Sequence, residues 1–99
     1  MTMAAFIVRV ELHDANSADY HTLHEEMNQR GFKRYVTSKN RTRYELPSAM
    51  YRMPDTDLNV KQVRDLARDA AEATNKRLWI FAAEYVSAAW VLHAADDVQ

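Results

Sequence analysis

Glu11, His13 and Asp14 are the residues whose types and spacing could do chemistry first. Two carboxylates and an imidazole this close together could hold a Mg²⁺ through carboxylate oxygens, or supply a general base in His13, whose unperturbed pKa lies near neutrality. The same three residues would equally make an ordinary strand end, with Asp14 starting a turn and His13 in water. A second group is cationic. Arg30, Lys33, Arg34, Lys39, Arg41 and Arg43 interleave with Phe32, Tyr35 and Tyr44, and no acid falls between Arg30 and Arg43. Cations hold phosphates and aromatic rings stack on unpaired bases, which is what recognition of single-stranded RNA needs. Charge at a hairpin tip also serves solubility and protects a sheet edge, and an acidic protein would use the same patch.

Other constellations carry less. His21-Thr22-Leu23-His24-Glu25 places two imidazoles and a carboxylate within one helical turn, but in neither the zincin order nor its inverse. His93 stands alone in an apolar segment, which suits a structural role. The absence of cysteine excludes disulfides, thiolate catalysis and cysteine zinc sites, and fits a reducing cytoplasm. A single glycine rules out Gly-rich phosphate loops of the Walker type, and no serine sits in a nucleophile elbow. The five methionines are scattered and read as core filler.

Ninety-nine residues make one domain with one two-layer core, and neither a secretion signal nor a spanning apolar run is visible. The net charge of −1 hides an asymmetry: residues 1–29 sum to −4, residues 30–52 to +6, and residues 53–99 to −3. A basic island in an acidic chain points to a polyanionic partner.

The elements that must position these groups follow from periodicity. Phe6, Val8, Val10 and Leu12 alternate with Ile7, Arg9, Glu11 and His13, the pattern of a strand with one buried face. Asn16 or Ser17 with Asp19 starts a helix whose buried stripe is Tyr20, Leu23 and Met27 and which ends at Gly31. Phe32–Thr37 and Arg43–Leu46 form a hairpin across Ser38–Thr42. Pro47 falls at a bulge or free edge, the strand resumes through Ala49, Tyr51 and Met53, and Pro54-Asp55-Thr56-Asp57 breaks the sheet. Asn59 and Gln62 form a capping box for a second helix, with Val63, Leu66, Ala67, Ala70, Ala71 and Thr74 inward and Asn75 as its left-handed terminator. Leu78–Tyr85 is a fourth strand, apolar on both sides and so expected to be covered on both. Ala88–His93 is apolar enough for a fifth, and Ala94–Gln99 reads as a frayed tail.

The order is βαββαβ with a short extra C-terminal strand: an α+β, ferredoxin-like arrangement with both helices on one face of an antiparallel sheet. Its open face would carry Ile7, Arg9, Glu11 and one side of the fourth strand, apolar enough to predict a homodimer through that face or an edge.

With these elements placed, the chain resembles the GhoS family over roughly residues 5–92. The resemblance is carried by the Glu11-Leu12-His13-Asp14 strand end, the Tyr20, Leu23-His24, Met27, Gly31-Phe32 helix and the Tyr44-Glu45-Leu46-Pro47 segment. It implies a small ferredoxin-like endoribonuclease antitoxin of a type V toxin–antitoxin system, which cleaves the toxin's messenger RNA. The fold is also similar to that of the small CRISPR adaptation nuclease, which places an aspartate at the end of its first strand, where Asp14 is the nearest match by position. Two functions are therefore expected side by side. One is an RNA endonuclease with Glu11, His13 and Asp14 as catalytic groups and Arg30, Lys33, Arg34, Tyr35, Lys39, Arg41 and Arg43 as the RNA-binding set. The other is a non-catalytic binder, phage or mobile-element encoded, that uses the hairpin or the open sheet face to block a nucleic-acid or protein partner such as a defence complex.

Overall fold

The computed structural model describes residues 3–94. Along the chain run β1 (Ala4–Leu12), α1 (Ser17–Gln29), β2 (Tyr35–Thr37), β3 (Arg43–Glu45), β4 (Met50–Thr56), α2 (Val60–Glu72) and β5 (Leu78–Tyr85). The alternation in β1 decides the layering. Phe6, Val8, Val10 and Leu12 are buried against both helices' inner residues, among them Leu23, Met27, Val63 and Ala67, and this single cluster is the core. β1 is the central strand, antiparallel to β4 on one side and β5 on the other. β2 pairs with β3 and meets β4 through the Lys33–Arg52 bridge. Laid side by side, β5, β1, β4 and β2 give the α+β, ferredoxin-like order, with both helices on one face.

The helix boundaries follow from their caps. Asn16 Oδ1 accepts from Asp19 N–H at 3.0 Å while Asp19 accepts from Asn16 N–H at 3.0 Å, a reciprocal box that satisfies free donors at the start of α1. Asn59 and Gln62 make the same box for α2, at 2.9 Å in both directions. At the end of α1, Gly31 adopts φ +92 and the Phe32 N–H bonds back to Met27 O at 3.1 Å, a left-handed closure that turns Phe32 into the core. Asn75, at φ 60, closes the end of α2 as its type predicts.

Three features depart from the pattern read in the sequence. The strand that Pro47 interrupts divides into β3 and β4 around a turn, with Met50 N–H donating to Pro47 O at 3.1 Å and Ala49 at φ 64. Pro54 does not end β4: its missing donor is absorbed where the register shifts between Ala4 and Phe6, and pairing continues to Thr56. The Ala88–His93 run lies along β3 by an isolated Tyr44–Ala94 bridge and one Glu45 N–H to His93 O bond of 3.1 Å, with no further ladder among the described residues, and His93 is exposed. The tail expected from Ala94 onward lies, beyond Ala94 itself, outside the described residues.

Candidate nucleic-acid interface

The sheet face opposite the helices is uncovered. Cross-strand partners project to the same side of a sheet, so pairing defines the rows on this face. One row runs Ala83, Ile7, Arg52, Lys33; the next runs Phe81, Arg9, Met50; the last pairs Trp79 with Glu11. Trp79 is 63% and Phe81 69% exposed, which corrects the expectation that both faces of this strand are covered. Both helices pack on the side of Leu78, Ile80 and Ala82, and the rings on the other side stay largely exposed, with only the His13 ring against Trp79 among the described residues. Arg9, Glu11, Trp79, Ile80 and Phe81 line a shallow cleft of about 190 Å³. Arg9 is exposed and has no ion-pair partner among the described residues. This half of the surface, two rings beside a free guanidinium, is what inspection of the basic segment alone misses. Its only sequence signal was the aromatic parity of Trp79 and Phe81.

The basic hairpin divides. Its tip is a closed loop: Ser38 N–H donates to Thr42 O at 2.9 Å, Arg41 N–H to Ser38 O at 2.9 Å, and the Asn40 side chain bonds Ser38 Oγ and Thr42 N–H. Arg41 takes φ 69 there, and Lys39 and Arg41 stand exposed. Arg43 lies over the Tyr35 ring, 4.6 Å from its centroid, a cation–π contact that removes one face of that ring from any base. Arg30 is withdrawn from the expected set: its guanidinium bonds Glu26 Oε1 at 2.8 Å and Glu26 O at 2.9 Å, one turn back on α1. Lys33 joins the sheet face through its bridge to Arg52, whereas Arg34 is exposed near α1, where it acts on His24.

At the end of β1 the three candidate catalytic residues separate. Glu11 Oε2 and His13 Nε2 are 3.9 Å apart, an ion-pair distance without a hydrogen bond. The His13 ring sits edge-on to Trp79, with centroids 4.6 Å apart and an interplanar angle of 75°, and its Nε2 is buried with no hydrogen-bond partner. Asp14 is the exposed residue of a left-handed turn at φ 55, with no hydrogen bond or ion pair to the other two. Among the described residues no three His, Asp or Glu side chains are grouped to hold a metal ion, so the Mg²⁺ considered above finds no converging ligand set here.

The other histidine cluster also resolves into pairs. His21 Nε2 meets Glu25 Oε1 at 2.7 Å on the surface of α1. His24 Nδ1 meets the hydroxyl of Tyr51, a fully buried residue of β4, at 2.5 Å. Burial, ahead of the charges of Arg34 and His21, lowers the His24 pKa to about 4, and burial pushes the Tyr51 phenol well above its ordinary value. Tyr51 therefore stays protonated, and His24 Nδ1 is its one hydrogen-bond partner among the described residues. If the imidazole carried its proton on Nδ1, the buried phenol hydrogen would lack an acceptor, at a cost of about 1–3 kcal/mol. The phenol thus donates to Nδ1, and the imidazole hydrogen sits on Nε2. No sequence spacing links residues 24 and 51; only the packing of α1 on β4 reveals the pair.

No protein-family model matches the chain, and a search of curated proteins returns no match either. No helix among the described residues is long and apolar enough to cross a membrane.

Proposed function

We propose that this protein binds single-stranded RNA across the open sheet face, with the hairpin extending the track. The observation that carries the reading is the pair of exposed rings, Trp79 and Phe81, flanking Arg9 on the open face, with Lys33 and Arg52 one row away. Rings of this kind stack bases at about 1–3 kcal/mol each without reading sequence, while the cations meet the phosphates. Lys39, Arg41 and Arg43 supply further phosphate contacts beyond the sheet.

The resemblance to the endoribonuclease antitoxins extends the proposal to cleavage. Glu11 is the carboxylate that lines the same cleft as Trp79 and Phe81, so it is the group assigned as general base for a 2′-hydroxyl or a water. His13, edge-on to Trp79 with Nε2 buried, holds the Glu11 side of the cleft; Asp14 is assigned to the turn.

The test is incubation of the purified chain with end-labelled single-stranded RNA, read both by anisotropy and on a denaturing gel. Binding that is lost in Trp79→Ala/Phe81→Ala is expected, as is fragmentation that is lost in Glu11→Gln. Binding with no fragmentation under any divalent-ion condition would leave the non-catalytic binder, a protein that occludes a nucleic-acid or protein partner. No binding at all would remove the RNA-binding reading in both its forms and leave only a binder of a protein partner.

A further inference from the structure

On the other side of the molecule, α1 and the residues entering β2 enclose a groove of about 210 Å³ lined by His21, His24, Glu25, Asn28, Phe32, Lys33 and Arg34. We propose that this groove is a phosphate-binding pocket in which His24 Nε2–H and the Arg34 and Lys33 side chains hold one phosphate group. Three observations converge on it. The phenol of Tyr51 occupies His24 Nδ1 from within, so the imidazole can offer the groove only its Nε2 edge, and that edge is a donor. Arg34 and Lys33 have no ion-pair partner among the described residues, so their charges are available to an anion. The one carboxylate in the lining, Glu25, is engaged by His21 at 2.7 Å. The groove thus combines two cations and an imidazole donor with a single carboxylate whose Oε1 is turned to His21, a set that favours a phosphate oxygen.

The pocket shares Lys33 with the RNA platform and otherwise draws on α1 and Arg34, so the Trp79 and Phe81 rings take no part in it. Its ligand chemistry is a phosphate group, which could be free, at the end of a chain, or a diester within one. All three sources act on the same reporter.

His24 provides that reporter. The groups around it are His21 and Glu25 from α1, Lys33 and Arg34 from the entry to β2, and Tyr51 from β4, which in turn lies near Tyr20. Unliganded, the ring is neutral above pH of about 4 because burial and the nearby Arg34 and His21 oppose its charge. A phosphate against Nε2 reverses the sign of that local field and should raise the midpoint by about 1–3 units, the effect of an opposite charge in contact.

The experiment is an NMR titration of the histidine ring resonances in the full chain carrying Trp79→Ala and Phe81→Ala, which disables the sheet platform. Inorganic phosphate is added against chloride of matched ionic strength. A raised His24 midpoint with phosphate and none with chloride is expected, and Arg34→Gln, an exposed site, should weaken that response by about tenfold or more. Repeating it with an oligoribonucleotide bearing hydroxyls at both ends, then with its 5′-phosphorylated form, assigns the source: response to the first means backbone diesters, response only to the second means a terminal phosphate. A His24 midpoint unmoved by millimolar phosphate and by both oligonucleotides overturns the pocket. A phosphate response in a wild-type chain that binds no RNA upholds the pocket while the proposed function fails.

Discussion

His24 gives the chain a built-in acid sensitivity. Its folded pKa of about 4 lies below the ordinary 6.5, so the unfolded chain binds more protons between these values. The neutral ring therefore contributes stability that is fully present above pH 6.5 and is lost as pH falls toward 4. Thermal unfolding followed from pH 7.5 down to 4 should show a falling midpoint, and His24→Gln should flatten that segment of the curve; an unchanged profile would mean that His24 is solvated and not tied to Tyr51. Gly31 is a second residue with a readable consequence. Its φ of +92 is strained for any side chain, while the space around an added Cβ is open, with only Met53 Sδ at 3.9 Å. Gly31→Ala should thus cost about 1 kcal/mol from backbone conformation alone, measurable by urea unfolding. Asp14, also left-handed, should tolerate Asn without loss of stability, since Asn shares its tolerance of that region.

At the scale of elements, β5 separates stability from function because its two faces have different surroundings. Phe81→Ala should leave the unfolding midpoint within a degree or two of the parent, as the ring is exposed, yet lower affinity for single-stranded RNA by about 1–3 kcal/mol. A large stability loss with unchanged affinity would assign the ring to packing instead. The asymmetry of β5 also marks the boundary of what the sequence made legible. Period-two alternation named the inward residues of β1, an N-cap at Asn16 or Ser17 and a capping box at Asn59 and Gln62 named the helix starts, and Gly31 and Asn75 named their ends, because each signal is local chemistry. An apolar strand on the sheet's edge carries no local sign of which side the helices cover, so the exposure of Trp79 and Phe81 emerged only with the packing. The same holds for Arg30, whose partner Glu26 is visible as a spacing but whose commitment to it depends on side-chain conformation. The candidate catalytic triple read as contiguous because its members are neighbours in sequence, whereas the left-handed turn at Asp14 points the chain away before the third can join.

For the molecule as a whole, the open face and the free edge of β5 leave two rings in water, and a homodimer that covers them is the expected state at micromolar concentration. Light scattering tests this directly, and a monomer mass would refute it; single-stranded RNA, using the same rings, should shift the mass toward one chain per complex. Binding itself should fall with salt. Six phosphate contacts, from Arg9, Arg52 and Lys33 on the sheet and Lys39, Arg41 and Arg43 on the hairpin, give a slope of log affinity on log salt of about −4 for a single strand, and Arg9→Gln should reduce it by about 0.7. The attachment of the hairpin carries one more consequence. β2 and β3 join the main sheet through the paired backbone bonds of Lys33 and Arg52, at 2.7 and 2.8 Å, and the Arg52 Nε bond to Tyr35 O at 3.2 Å, whereas β1 is laddered to β4 from Ala4 to Arg9 and to β5 from Ala5 to Leu12. Amide hydrogen exchange should therefore resolve two opening units, with the Tyr35–Thr37 and Arg43–Glu45 amides exchanging through a cheap local detachment and those of Val8 and Val10 only when the whole chain unfolds.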